Sequence, residues 1–233
     1  MQPARAARSS ALTAARGKRT APRRRAREAK PARVRVLAAA FSTFRDRGFA
    51  GASTLEIATR AKVSKRELYA LFDDKQAMIA ACIEGRAGRM REPLALPAVQ
   101  TLADLKAALT AFGIAILRGA SDDDVLAVYR FAIAESEGTP AIARTLDTAG
   151  RQANRGALVQ FLQQAQSRRL LRQGDAAAMA EAFFAVLWGD LLVRLLLRVA
   201  AAPSAQEAEQ RARAATDLLL TLHSAGGPDG GGR

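Results

Sequence analysis

Residues 53–75, STLEIATRAKVSKRELYALFDDK, hold two helix starts only eleven residues apart, which leaves few paths for the chain. Ser53 with Glu56, and Ser64 with Glu67, have the S-x-x-E spacing of a capping box, where side-chain oxygens satisfy the orphan amides of a helix N-terminus. Between them there is room for one short helix and a tight turn. Ile57, Ala58, Ala61, Val63, Leu68 and Leu71 give each helix one apolar stripe, with the small Ala58 where the two must cross closely. That is the spacing of a helix-turn-helix, whose second helix lies in a DNA major groove. Lys62, Lys65, Arg66 and Tyr69 remain for the solvent side, and they suit phosphates and base edges.

The charge distribution agrees. The net charge of +14 is concentrated at the N-terminal end: residues 1–30 carry ten Lys and Arg against one acid, and residues 31–91 carry twelve against six. The remainder is close to neutral. A polyanionic partner for the N-terminal part follows, with other work for the rest. Abundant Ala and Leu with only two Tyr and one Trp favour helix over sheet. A single Cys82 excludes an internal disulfide and a cysteine zinc site, and fits a reducing compartment. One histidine, His223, is too few for most metal sites.

In chain order, residues 1–30 lack apolar periodicity and read as a disordered basic arm; a transit peptide and a misassigned start have the same composition. Pro31 opens a bracing helix with Val36, Leu37, Ala40, Phe41 and Phe44 inward, ending at Gly48. Asp73, with Gln76, is expected to cap a fourth helix bearing Met78, Ile79, Cys82 and Ile83. After a loop bracketed by Pro93 and Pro97, residues 102–118 read as a helix with Leu105, Leu109, Phe112, Ile116 and Leu117 inward. Asp122, Asp123 and Asp124 read as a solvated helix cap, because no further ligand spacing supports a metal. Helices then follow from Thr139-Pro140 through Leu162, over residues 176–199, and from Ser204 through Leu222. Asp190, Arg194 and Arg198 inside 176–199 argue against a membrane span.

The run Gly48-Phe49, Ser53-Thr54, Ile57-Ala58, Ala61, Val63-Ser64-Lys65, Leu68-Tyr69, Phe72 and Lys75 resembles the DNA-binding signature of the TetR family of bacterial regulators. YRFAIAE, RGALVQFLQQAQSRRLLRQGD and FFAVLWGD resemble the C-terminal domain of its AefR-like branch. The resemblance implies an all-α homodimer: a three-helix helix-turn-helix domain over residues 31–76, a ligand-binding and dimerisation domain over 77–223, and a loose tail over 224–233. It places Lys65, Arg66 and Tyr69 at bases or nearby phosphates and Thr54, Glu67 and Lys75 toward the DNA backbone, with Ser64 also among the DNA-binding residues. Glu67 would then pair with Lys65 or Arg66, or read a cytosine amine. Lys62 stands where glycine is usual, and a left-handed conformation there would cost roughly 1–2 kcal/mol. An apolar effector is expected among Met78, Cys82, Phe112, Ile116, Tyr129 and Trp188. Helices 176–199 and 206–222, paired across a two-fold axis, would make a four-helix bundle; folding back within one chain is the other reading.

These residues predict a cytoplasmic, ligand-responsive repressor of a palindromic operator, with no cofactor, no metal, no membrane association and no catalytic residues. There is no G-x-S-x-G, and no glycine-rich phosphate loop. Two other classes fit less of the chain: a sequence-indifferent DNA-compacting protein, and a small-molecule enzyme with a vestigial DNA-binding head.

Overall fold

The computed structural model describes residues 31–95, 99–138 and 140–225, so the basic arm and most of the C-terminal tail lie outside the described residues. The described chain is all-helical, with one isolated bridge between Leu171 and Ser224. Helix α1, Ala32–Gly51, is broken at Gly48 (φ 68°, ψ 171°), and its last turn continues in a new direction. Helices α2, Thr54–Ala61, and α3, Lys65–Leu71, form the expected pair. The expected box at α2 is only half made. Ser53 accepts from the Glu56 amide, but the Glu56 carboxylate turns to Arg60 Nη2 at 2.7 Å. Helix α4, Lys75–Arg91, is capped by Asp74 and not by Asp73: Asp74 Oδ1 accepts from the Ala77 amide at 2.7 Å.

A short 3-10 turn, Glu92–Ala95, precedes α5, Leu102–Ala120, which begins with a Thr101–Asp104 capping box. Helices α6, Asp123–Ala134, and α7, Pro140–Thr145, follow. The chain runs from α7 through a π-helical stretch, Leu146–Gln152, into α8, Ala153–Ser167. The long apolar segment 176–199 is two helices rather than one. Helix α9, Ala176–Trp188, stops at Gly189 (φ 49°, ψ −122°), and α10, Leu191–Leu196, starts beyond it. Helix α11, Ala205–His223, opens on the expected Ser204–Glu207 box.

Two cores organise these helices. The first packs Val36, Phe41, Ile57, Leu68, Met78 and Ile79 together with Val125, Val128 and Ala132 of α6. The second packs Leu105, Leu109, Phe112, Leu158, Phe183 and Leu187 against Ala208, Ala212 and Leu219. In the second core α5 and α11 approach closely: a Cβ placed on Gly113 would stand 2.9 Å from the Ala212 Cβ. Helices α4 and α6 contribute to both cores.

Candidate DNA interface and ligand cavity

The turn into α3 is set by Lys62, which does adopt the left-handed conformation (φ 54°, ψ 49°). Arg35 Nε of α1 donates to the Ala61 carbonyl at 2.9 Å and braces that turn. Ser64 then starts α3 with a complete box: its Oγ accepts from the Glu67 amide at 3.1 Å, and its own amide donates to Glu67 Oε2 at 2.7 Å. Those two bonds to Ser64 hold the Glu67 carboxyl below its usual range. The carboxylate is therefore engaged by its own helix start, not by Lys65 or Arg66.

Leu68 is fully buried beneath α3, so Lys65, Arg66 and Tyr69 are presented outward. Lys65 Nζ lies 5.8 Å from the Tyr69 ring centroid, and the Tyr69 hydroxyl is 3.2 Å from Thr54 Oγ1. Thr54 and Tyr69 thus tie α2 to α3 at the same face. Arg66 is exposed and has no hydrogen-bond or ion-pair partner among the described residues. Lys75 is placed differently. Its ammonium donates to the carbonyls of Phe49 at 2.9 Å, Ala52 at 3.0 Å and Ala50 at 3.5 Å, and lies 4.9 Å from the Phe49 ring centroid. It fastens the start of α4 to the end of α1, with little donor capacity left over for phosphate.

A cavity of about 390 Å³ opens between α4, α5, α6, the π stretch, α8, α9 and α10. Ile116, Tyr129 and Trp188 line it, together with Ile83, Met90, Phe184 and Leu192. Met78, Cys82 and Phe112 do not. Met78 and Cys82 pack into the first core, and Phe112 lies in the second with its ring centroid 6.2 Å from Phe183 and 6.0 Å from Phe184. Burial pushes the Cys82 thiol up to about 12, while its Sγ donates to the Leu37 carbonyl; this is a packed thiol, not a reactive one. Burial also raises the Tyr129 phenol above its ordinary range.

The polar wall was missed in sequence. Arg86, Arg151, Asn154, Arg155 and Glu181 all reach the cavity. Charged residues on amphipathic helices read as solvent-facing, and Arg86 alone carried a clue, lying one turn beyond Cys82. The π stretch carries no sequence signal, yet it supplies Leu146, Gly150 and Arg151; such widened turns recur at functional sites. The acid triplet is more than a solvated cap: Arg86 Nη1 donates to Asp122 Oδ1 at 3.1 Å, and Arg45 Nη1 to Asp124 Oδ1 at 2.8 Å. Among the described residues no three His, Cys, Asp or Glu gather as a metal site, and no helix is long and apolar enough to cross a membrane.

Residues 36–82 match the family profile described as bacterial regulatory proteins, tetR family. Residues 107–225 match that of the AefR-like transcriptional repressor C-terminal domain. Among solved structures, a TetR transcriptional regulator from Agrobacterium tumefaciens superposes with a TM-score of 0.69 at 26% identity, covering 84% of this chain and 96% of that one. The flavonoid-responsive regulator FrrA superposes with a TM-score of 0.63 at 28% identity, covering 83% and 97%. No curated protein sequence matches the chain.

Proposed function

From its membership of the TetR family of bacterial regulatory proteins, to which this chain belongs, it is a DNA-binding transcriptional regulator, and we propose that it is a ligand-released repressor. A homodimer in the bacterial cytoplasm would insert two α3 helices into successive major grooves of a palindromic operator, about 34–36 Å apart. Lys65, Arg66 and Tyr69 read bases or adjacent phosphates, and Ser64 and Glu67 hold α3 in register. Thr54 acts by fixing Tyr69. Lys75 acts indirectly, by transmitting the position of α4 to α1.

The observation that carries the reading is the position of the cavity. Ile83, Arg86, Ala87 and Met90 line it from α4, the helix whose other end holds Lys75 and the first core. An effector that fits a displaced α4 better than the DNA-bound one lowers operator affinity by that difference. Its apolar and aromatic lining favours a ring-containing ligand, which is in keeping with a relative named for its response to flavonoids.

Footprinting upstream of the chain's own gene tests this, with Arg66→Ala as control. The wild type should protect one palindrome. Arg66→Ala should lose roughly 1–3 kcal/mol there and relax preference at one or two positions. Equal losses on operator and random DNA would remove base reading from Arg66, and uniform protection of all DNA would favour the compacting protein.

A further inference from the structure

The cavity lining is unevenly charged. Three arginines, Arg86, Arg151 and Arg155, reach it, against one carboxylate, Glu181. Only Arg155 is paired within the lining, at 3.1 Å from Glu181. The counter-charges of the other two stand outside it. Arg151 pairs with Asp147 at 2.7 Å, and Arg86 with Asp122 at 3.1 Å and Asp124 at 3.6 Å. Arg86 is the least exposed of the three, with 26% of its side-chain surface open, against 36% for Arg155 and 65% for Arg151. The rest of the wall is mostly apolar or aromatic. A neutral hydrocarbon would offer that edge no acceptor, and a cation would find no unpaired carboxylate on the lining.

We propose that the cavity takes an organic anion with an apolar, ring-containing body, and that its carboxylate or phenolate draws Arg86 away from Asp122 and Asp124. This rests on the effector-cavity reading above and adds the ligand's charge and the residue that senses it. The exchange is physically reasonable. The aspartates hold Arg86 through partly exposed ion pairs, which are worth little, whereas an anion inside the cavity meets it in lower dielectric.

Arg86 also stands at a junction. It belongs to α4, its partners lie at the N-terminus of α6, and its guanidinium sits 3.9 Å over the Phe41 ring of α1. Asp124 receives Arg45 of α1 as well, at 2.8 Å. Drawing Arg86 inward unties α4 from α6 and takes its cation off Phe41, while Arg45 keeps Asp124. An isosteric neutral ligand fills the same space without undoing those contacts.

Calorimetric titration of the full chain with 4-biphenylcarboxylate and with its primary amide, equal in shape and differing in charge, tests this. The carboxylate should bind about tenfold more tightly than the amide, the worth of one charge-assisted hydrogen bond. Arg86→Gln should erase that preference while leaving the amide affinity within about twofold. Asp122→Asn, which keeps the helix cap, should tighten the carboxylate alone, and it carries the test if Arg86→Gln does not fold. A merely structural Arg86 moves neither ratio. Equal binding of the two probes by the wild type overturns the proposal and leaves the cavity an effector site. A preference that survives Arg86→Gln also overturns it. Silence from both probes overturns the effector-cavity reading itself.

Discussion

Cys82 has the chain's one thiol, and its surroundings decide what that thiol can do. With burial raising it to about 12, little of the thiol is ionised near neutral pH. Reaction with a chromogenic disulfide at pH ~8 should therefore be slow in the folded protein and rapid in denaturant; fast labelling without unfolding would put the sulfur within reach of solvent. The apolar spacing around Cys82 was readable in sequence, and so was the outward set Lys65, Arg66 and Tyr69, because one buried residue, Leu68, fixes the face of α3. Lys75 was not readable. A lysine beside a reading head has the right charge for phosphate, and only the three-dimensional return of α1 shows that three carbonyls hold its ammonium first. Ile116, Tyr129 and Trp188 line one cavity, whereas Met78, Cys82 and Phe112 show that a large side chain on an apolar face is more often packed than lining.

Among the elements, caps were legible where no neighbouring group competes for a partner of the cap. The boxes at Ser64 and Ser204 formed as spaced. At Ser53 the box lost its glutamate to Arg60, and at α4 Asp74 displaced Asp73, choices between near-equal neighbours that spacing does not resolve. The break between α9 and α10 was hidden because WGDLLVRLL keeps helical spacing throughout and Asp190 and Arg194 still meet as an i,i+4 pair at 3.9 Å. Gly189 makes the break in a backbone region that L-residues rarely enter. Gly189→Ala should cost roughly 1–3 kcal/mol and lower the melting temperature, although a Cβ there would meet no atom within 4 Å. An unchanged melt would mean that the chain re-forms one continuous helix there.

At the scale of the whole molecule, the apolar surface left over is where a second copy would pack. Leu195 and Leu219 are buried within the chain, so a charge at either would unfold it rather than separate a dimer into monomers. Val193 and Leu197, in and just after α10, and Leu218 and Leu222 of α11 remain exposed. Leu197→Glu combined with Leu218→Glu should give a folded monomer by sedimentation, with the wild type a dimer at micromolar concentration; a monomeric wild type would end the four-helix-bundle proposal. The all-helical class was legible from composition, and the DNA-binding end of the chain from one capped pair and one charge gradient. The sharing of helices between cores was not, since α6 alternates its allegiance residue by residue: Val125 and Val128 face the first core, and Leu126 the second. That sharing limits transplantation. Cut out alone, residues 31–95 would lose the cover that Val125, Val128, Ala132, Ile142 and Leu146 give to the first core, and should fail to show a cooperative melt. A donor head of different specificity, spliced onto this body, would have to bring a surface already shaped to the first face of α6. With Lys65, Arg66 and Tyr69 reading the operator as proposed, new operators should be reached more readily by changing these residues in place than by exchanging the head as a cassette.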